Sequence, residues 1–161
     1  MDFYNEFSKY YDSIFPLQKE KLVFLSEYFS NGEKILDVGT GTGSYALELA
    51  KHGFSVIGID LDKTMIDLAR GKINNLQLPL EFKCLNMLDI NKYFSVNTFS
   101  GIYIIGNVLV HLDSEEVISK FINNLTRILK QDGVLIIQII NYDRIIDQQI
   151  DGLPTITNKK D

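Results

Sequence analysis

Apolar positions fall along this chain in two alternating rhythms. Five short runs are rich in apolar residues: Ile35, Leu36 and Val38; Phe54–Ile59; Leu80–Leu85, where Glu81 and Lys83 intervene; Phe99–Ile105; and Val134–Ile140. Runs of that length predict strands, and the near-continuous Phe99–Ile105 predicts one buried on both faces, as at the centre of a parallel sheet. Between them the spacing turns helical, over Tyr45–Lys51 and Lys63–Ile73, and again where Ile118, Phe121, Ile122, Leu125, Ile128 and Leu129 form one face. Asp113 as N-cap with Glu116 at N3 forms a capping box for that last helix, and Gly53 and Asp132-Gly133 are stop signals. The order β-α-β-α-β-β-α-β predicts an α/β domain around one parallel sheet. The first 30 residues are aromatic, with Phe3, Phe7, Tyr10 and Tyr11 on one helical face. A second helix is expected after Pro16, with Leu17, Lys21, Leu25 and Tyr28 along one side and Val23 and Phe24 adding to it. Beyond Arg144 the pattern predicts no clear element, and Thr155-Ile156-Thr157 is the only strand-like run there.

The first strand runs into Gly39-Thr40-Gly41-Thr42-Gly43 and then a helix. Strand, glycine loop and helix form the nucleotide-binding opening of an α/β domain, with free N–H groups at the helix start. The second strand ends in Asp60, placed to accept hydrogen bonds from a ribose diol. The loop reads G-x-G-x-G, with Ser44 where a dinucleotide fingerprint has its third glycine, and Asp37 stands just before it. A carboxylate there repels a pyrophosphate but suits an ammonium or sulfonium group. That combination points to S-adenosylmethionine and away from an NAD(P)-linked oxidoreductase.

ILDVGTGTGSYALELAKHG followed by VIGIDLDKTMIDLAR resembles the first two motifs of the class I S-adenosylmethionine-dependent methyltransferases, and the resemblance runs from about Tyr10 to Arg144. It implies a Rossmann-like sheet of strand order 3-2-1-4-5, an N-terminal helical cap over residues 1–31, a cofactor-binding core over 32–144, and a tail over 145–161. It implies cofactor contacts from Tyr11, Asp37, Gly39, Thr40, Gly41, Gly43, Asp60, Leu61, Met65, Asn86, Met87, Ile105 and Gly106, with S-adenosylhomocysteine as product. Tyr10 and Tyr11 would close over the methionine arm, though each reads equally well as packing against the sheet. The family's usual acidic residue at the third strand's tip is Asn86 here, whose side-chain oxygen still accepts from an adenine amino group. The full family sheet carries two further strands as a hairpin, for which the residues after Asn141 are too few. The expectation is therefore an incomplete sheet whose fifth strand is an open edge prone to self-association.

Composition narrows the partners. A net charge of −5 offers no basic face for nucleic acid. No run of about 18 apolar residues marks a membrane span, and the first residues lack a signal-peptide pattern. Two histidines and one cysteine give no metal cluster, and Cys84 is expected to be buried as a small apolar residue. The expectation is a cytoplasmic, metal-free, single-domain protein acting on a small molecule.

The acceptor would lie beyond the fourth and fifth strand tips. Gly106-Asn107 with His111-Leu112, and Asn141-Tyr142-Asp143 later, resemble stretches of glycine and sarcosine N-methyltransferases. By that resemblance Asn107 orients the acceptor. The arginine that clamps an amino-acid carboxylate there is replaced by Ile140, which disfavours glycine itself. His111 is the candidate general base, or else a structural histidine near a helix start, and Asp143 lies near the acceptor or caps its turn. A module that binds the cofactor without catalysis is the competing reading.

Overall fold

The five apolar runs pair side by side as a parallel sheet in the computed structural model, which describes residues 10–150 and 152. The strands are β1 (Lys34–Val38), β2 (Ser55–Asp60), β3 (Leu80–Cys84), β4 (Phe99–Ile104) and β5 (Leu129–Ile137), in the order β3-β2-β1-β4-β5. The expected order is therefore the observed one. The helices are α1 (Lys19–Glu27), α2 (Ser44–Lys51), α3 (Lys63–Ile73), α4 (Ile90–Tyr93), α5 (Glu115–Ile128) and α6 (Tyr142–Asp147), with a helical segment over residues 10–14 ahead of them and 3-10 turns at Met87–Asp89 and Val108–His111. Successive strand residues point to opposite faces, and both faces of the central strands are covered, which is why their runs are nearly continuous; in the edge strand β3 charge alternates with apolar residues, with Phe82 buried and Glu81 exposed. On one face Ile35, Val56, Phe82 and Tyr103 pack with Leu25, Phe29, Leu49 and Ile66. On the other, Leu36, Ile57, Ile102 and Ile104 pack with Phe121, Leu125 and Ile128. Among the described residues no helix is long and apolar enough to cross a membrane.

Several local expectations change. Helix α1 turns Leu25 inward and Phe29 is buried just beyond its end, while Val23, Phe24 and Tyr28 are exposed. The N-cap of α5 is Ser114, not Asp113, and its hydroxyl accepts from the Val117 N–H at N3. Strand β5 begins at Leu129, opposite Phe99, and Asp132-Gly133 lies within it at a register irregularity instead of preceding it. The strand ends at Ile137, although the Gln138 N–H still donates to the Ile104 carbonyl at 2.8 Å. Cys84 is exposed, not buried, because β3 is an edge strand and the residue sits at its last position; its thiol donates to the Leu61 carbonyl. Helix α6 was not expected; Asn141 caps it by accepting from the Arg144 N–H at 2.9 Å. Strand β5 pairs only with β4 among the described residues. Phe3, Tyr4, Phe7 and Thr155-Ile156-Thr157 lie outside the described residues.

Candidate cofactor site

The carboxyl ends of β1, β2 and β4 converge where the strand order reverses, the place at which open α/β sheets bind ligands. The loop after β1 holds Gly39, Gly41 and Gly43 at φ of 75°, 55° and 75°, a region costly to side chains. Close packing adds to that need. A Cβ on Gly43 would lie 2.4 Å from the Phe82 ring, and one on Gly39 2.4 Å from the Val108 side chain. The loop is fastened from β2. Asp60 accepts from the Gly41 N–H at 2.8 Å and from the Asp62 N–H at 2.9 Å. Asp62 in turn caps α3, accepting from Thr64 and Met65 N–H groups. Asp60 thus arrives at the loop already oriented, with lone pairs remaining for a diol.

Asp37 lies beneath the same loop and is 2% exposed. The Thr40 hydroxyl donates to it at 2.6 Å. Tyr103, its register partner on β4, is fully buried beside it, but its hydroxyl makes no hydrogen bond of good geometry. Burial pushes the Asp37 carboxyl up to about 7; the Thr40 and Tyr103 hydroxyls pull it back, and the charge of Asp60 adds to the rise. A buried carboxylate without a cationic partner among the described residues is suited to receive one from a ligand.

A cavity of about 600 Å³ opens over this loop. Its floor includes Asp37, Gly39, Thr40, Thr42 and Ser44, and one wall is Ile105, Gly106, Asn107, Gln138 and Ile140. The opposite wall is the N-terminal strap, from Tyr11 to Gln18 and on to Lys21. The Tyr11 ring lies on the glycine loop, its hydroxyl 3.3 Å from where a Gly41 Cβ would be. Burial first, then the charges of Asp60, Asp12 and Asp37, push its hydroxyl pKa upward.

The expected residues therefore divide. Tyr11, Asp37, Gly39, Thr40, Ile105, Gly106 and Asn107 surround the cavity. Gly41, Gly43 and Asp60 belong to the loop and its fastening. Leu61, Met65, Asn86 and Met87 lie outside the cavity wall. Leu61 is exposed, Met65 is buried in the core, and Met87 packs against the core cluster that includes Leu36 and Leu85. The Asn86 oxygen caps a short 3-10 turn by accepting from the Leu88 N–H at 2.9 Å. Tyr10 is exposed, and His111 is exposed at the end of another 3-10 turn and does not line the cavity.

Asn107 takes a left-handed backbone, φ 68°. Its oxygen accepts from the Ile140 N–H at 3.2 Å, and its amide donates to the Tyr142 hydroxyl at 2.8 Å. Beside it, the Gly106 N–H donates to the Gln138 side-chain oxygen at 2.9 Å. Gln138 was missed from the sequence; its signal is a lone polar residue within the apolar run Val134–Ile140. Asp12 was missed as well. Its carboxylate accepts from the Thr42 and Ser44 hydroxyls and pairs with Lys72 at 2.6 Å.

A methyltransferase domain family matches residues 35–133, from the first strand to the register irregularity in β5. A provisionally named methyltransferase of Geobacillus sp. (strain WCH70) is 35% identical over 71% of this chain and 46% of its own length. The glycine/sarcosine N-methyltransferase of Aphanothece halophytica is 29% identical over 72% of this chain and 43% of its own length. The crystal structure of a SAM-dependent methyltransferase from Methanosarcina mazei superposes with a TM-score of 0.62 at 29% identity, over 70% of this chain and 54% of that one. The chain spans less than half the length of these curated relatives.

Proposed function

The chain belongs to the methyltransferase domain family, and on that premise we propose that it transfers a methyl group from S-adenosylmethionine to a small-molecule acceptor, an amine. The observation that carries this reading is the glycine loop held between two carboxylates, Asp37 below it and Asp60 at its side. Such a floor opposes a pyrophosphate and favours a ribose and a cationic amino-acid arm. Bound there, the cofactor would supply an electrophilic methyl group on a sulfonium. Asp60 would hold the ribose hydroxyls and Asp37 would face the ammonium. Tyr11 would cover the arm and exclude water, and the tips of β4 and β5 would wall the acceptor space.

The amine assignment has separate support. Among the described lining residues the carboxylates are Asp12 and Asp37, the first engaged by Lys72 and two hydroxyls, the second beneath the loop. His111 is not among them. A neutral amine is nucleophilic without a general base, whereas a hydroxyl must give up its proton to one.

Calorimetry with S-adenosylmethionine, S-adenosylhomocysteine and NAD tests the cofactor. The two S-adenosyl ligands are expected to bind and NAD is not; equal affinity for NAD overturns the reading. A labelled-methyl assay against pooled amines and pooled phenols then tests the acceptor, with label expected in the amines.

A further inference from the structure

The strap that carries Tyr11 lies across the glycine loop; the Gln18 N–H donates to the Tyr45 hydroxyl at 3.1 Å, and the Asp12 side chain ties the strap to the loop itself. Asp12 Oδ1 accepts from the Thr42 hydroxyl and from the Ser44 hydroxyl at 3.0 Å, and Asp12 Oδ2 pairs with Lys72 Nζ at 2.6 Å. Lys72 Nζ also donates to the Ser44 hydroxyl at 3.0 Å, closing the group. Three separate parts of the chain meet in it: the strap, the glycine loop where it enters α2, and the last turn of α3. Burial works against the Asp12 charge, but Lys72 and the two hydroxyls outweigh it and hold the carboxyl below its usual range.

We propose that Asp12 and Lys72 form a latch that positions Tyr11 over the cofactor's amino-acid arm and sets the rate at which the bound cofactor leaves. The proposal rests on the S-adenosyl reading of the site given above. Its geometric basis is the Tyr11 ring packed on Gly41, the middle of the loop that a ligand must lie against. The loop is uncovered only when the strap lifts, and lifting the strap separates Asp12 from Thr42, Ser44 and Lys72. The ion pair is half-exposed, with side chains 28% and 49% accessible for Lys72 and Asp12. A pair in that setting is a modest, salt-sensitive interaction, strong enough to bias a strap and weak enough to open. Asp12 and Lys72 act through Tyr11 and are positioning residues, not catalytic ones.

Two measurements test it. Hydrogen exchange of residues 10–16 in the ligand-free protein reads the latch without any cofactor. Stopped-flow displacement of S-adenosylhomocysteine reads its effect on release. Asp12→Asn keeps an oxygen for Thr42 and Ser44 but loses the charge, and Lys72→Met keeps the stem. Each is expected to speed strap exchange and to raise the dissociation rate about threefold to fivefold, the scale of one modest, partly exposed ion pair. The double variant is expected to match either single one, because the two residues act as a unit. Raising salt should speed release from the wild type and not from Asp12→Asn. The reversed pair Asp12→Lys with Lys72→Asp should recover part of the slow release. Unchanged strap exchange and release in folded single variants overturns the latch, as do fully additive effects. If the wild type binds no S-adenosylhomocysteine, the cofactor reading falls and takes the latch's role in release with it. That result is distinct from a wild type that binds and variants that release at its rate.

Discussion

Both tips that face the cavity are tied by hydrogen bonds, but over different reaches of chain. On the β1–β2 side the ties span only 2, 3 and 19 positions and run mostly to backbone: Asp62 to Asp60, Thr40 to Asp37, Gly41 to Asp60. On the β4–β5 side they are long-range and hang on two amide side chains. Gln138 holds Gly106 across 32 positions, and Asn107 holds Ile140 and Tyr142 across 33 and 35. The first side is a frame closed within one strand-loop-helix-strand unit. The second is assembled only when β4 and β5 have paired. A cofactor common to a family suits the first kind of site, and an acceptor that differs between members suits the second.

The largest expected effect is at the frame. Asp60→Ala removes the acceptor that orients the Gly41 N–H and the carboxylate proposed to hold the ribose. Charge-assisted hydrogen bonds contribute about 1.5–3 kcal/mol each. Affinity for S-adenosylhomocysteine should fall by about 3 kcal/mol, or roughly 100-fold, as measured by calorimetry. An unchanged affinity would break the assignment of this side to the cofactor.

Next is a matched pair of glycines. Gly43 and Gly106 both sit at positive φ, 75° and 82°. A Cβ on Gly43 would enter the buried Phe82 ring and crowd the Ala69 side chain, whereas one on Gly106 would meet nothing within 4 Å. Gly106→Ala should therefore cost only the left-handed strain, about 1–2 kcal/mol. Gly43→Ala should cost that plus overpacking, about 2–5 kcal/mol in all. Urea denaturation gives both values, and equal losses would contradict the contrast between a packed frame and an open tip.

This contrast also explains what the sequence made legible. Gly39, Gly41, Gly43 and Asp60 stand within one strand-loop-helix-strand unit, so their spacing alone predicts that they meet. Asn107 was legible as a polar residue at a strand tip, but its partners depend on the β4–β5 register, which no local pattern encodes. Asp12 sits in an aromatic segment with no spacing to link it to Lys72. The start of β5 was misread because Asp132-Gly133 has turn chemistry. In the fold the same left-handed Asp132 serves an irregularity inside the strand, with Gly133 packed close to Leu129. Helix α6 has few inward apolar positions, so its capping by Asn141 was its only signal.

Asp37 sharpens the comparison through pH. Its folded carboxyl is raised from 3.8 to about 7, so the folded chain holds that proton more tightly than the unfolded chain. The charged form therefore weakens the fold as pH rises from about 4 through 7, and Asp37→Asn should raise the melting temperature more at pH 8 than at pH 5. A ligand ammonium favours the ionised form. Affinity for S-adenosylhomocysteine should rise about tenfold from pH 6 to pH 8, by the proton that binding no longer has to expel. Methylthioadenosine, which lacks the amino-acid arm, should show no such rise, and neither should Asp37→Asn. A rise shared by methylthioadenosine would move the titrating group away from the arm.

The smallest effect on cofactor binding should come from Asn107. Replacing it with Ala removes the acceptor for the Ile140 N–H and the donor to Tyr142, at about 1 kcal/mol for a typical hydrogen bond. It also places Ala in a left-handed backbone. Asn107→Gly removes the same two bonds without that strain, so the pair separates the tie from the conformation. If the β4–β5 side serves the acceptor, both variants should bind S-adenosylhomocysteine within about threefold of wild type, a shift of under about 1 kcal/mol. Both should lose methyl-transfer turnover and show faster hydrogen exchange at the Ile140 amide. Loss of turnover in the Ala variant alone would assign the effect to backbone strain. A collapse of cofactor affinity in the folded Gly variant would place Asn107 with the frame, and the division between the two sides of the cavity would fall with it.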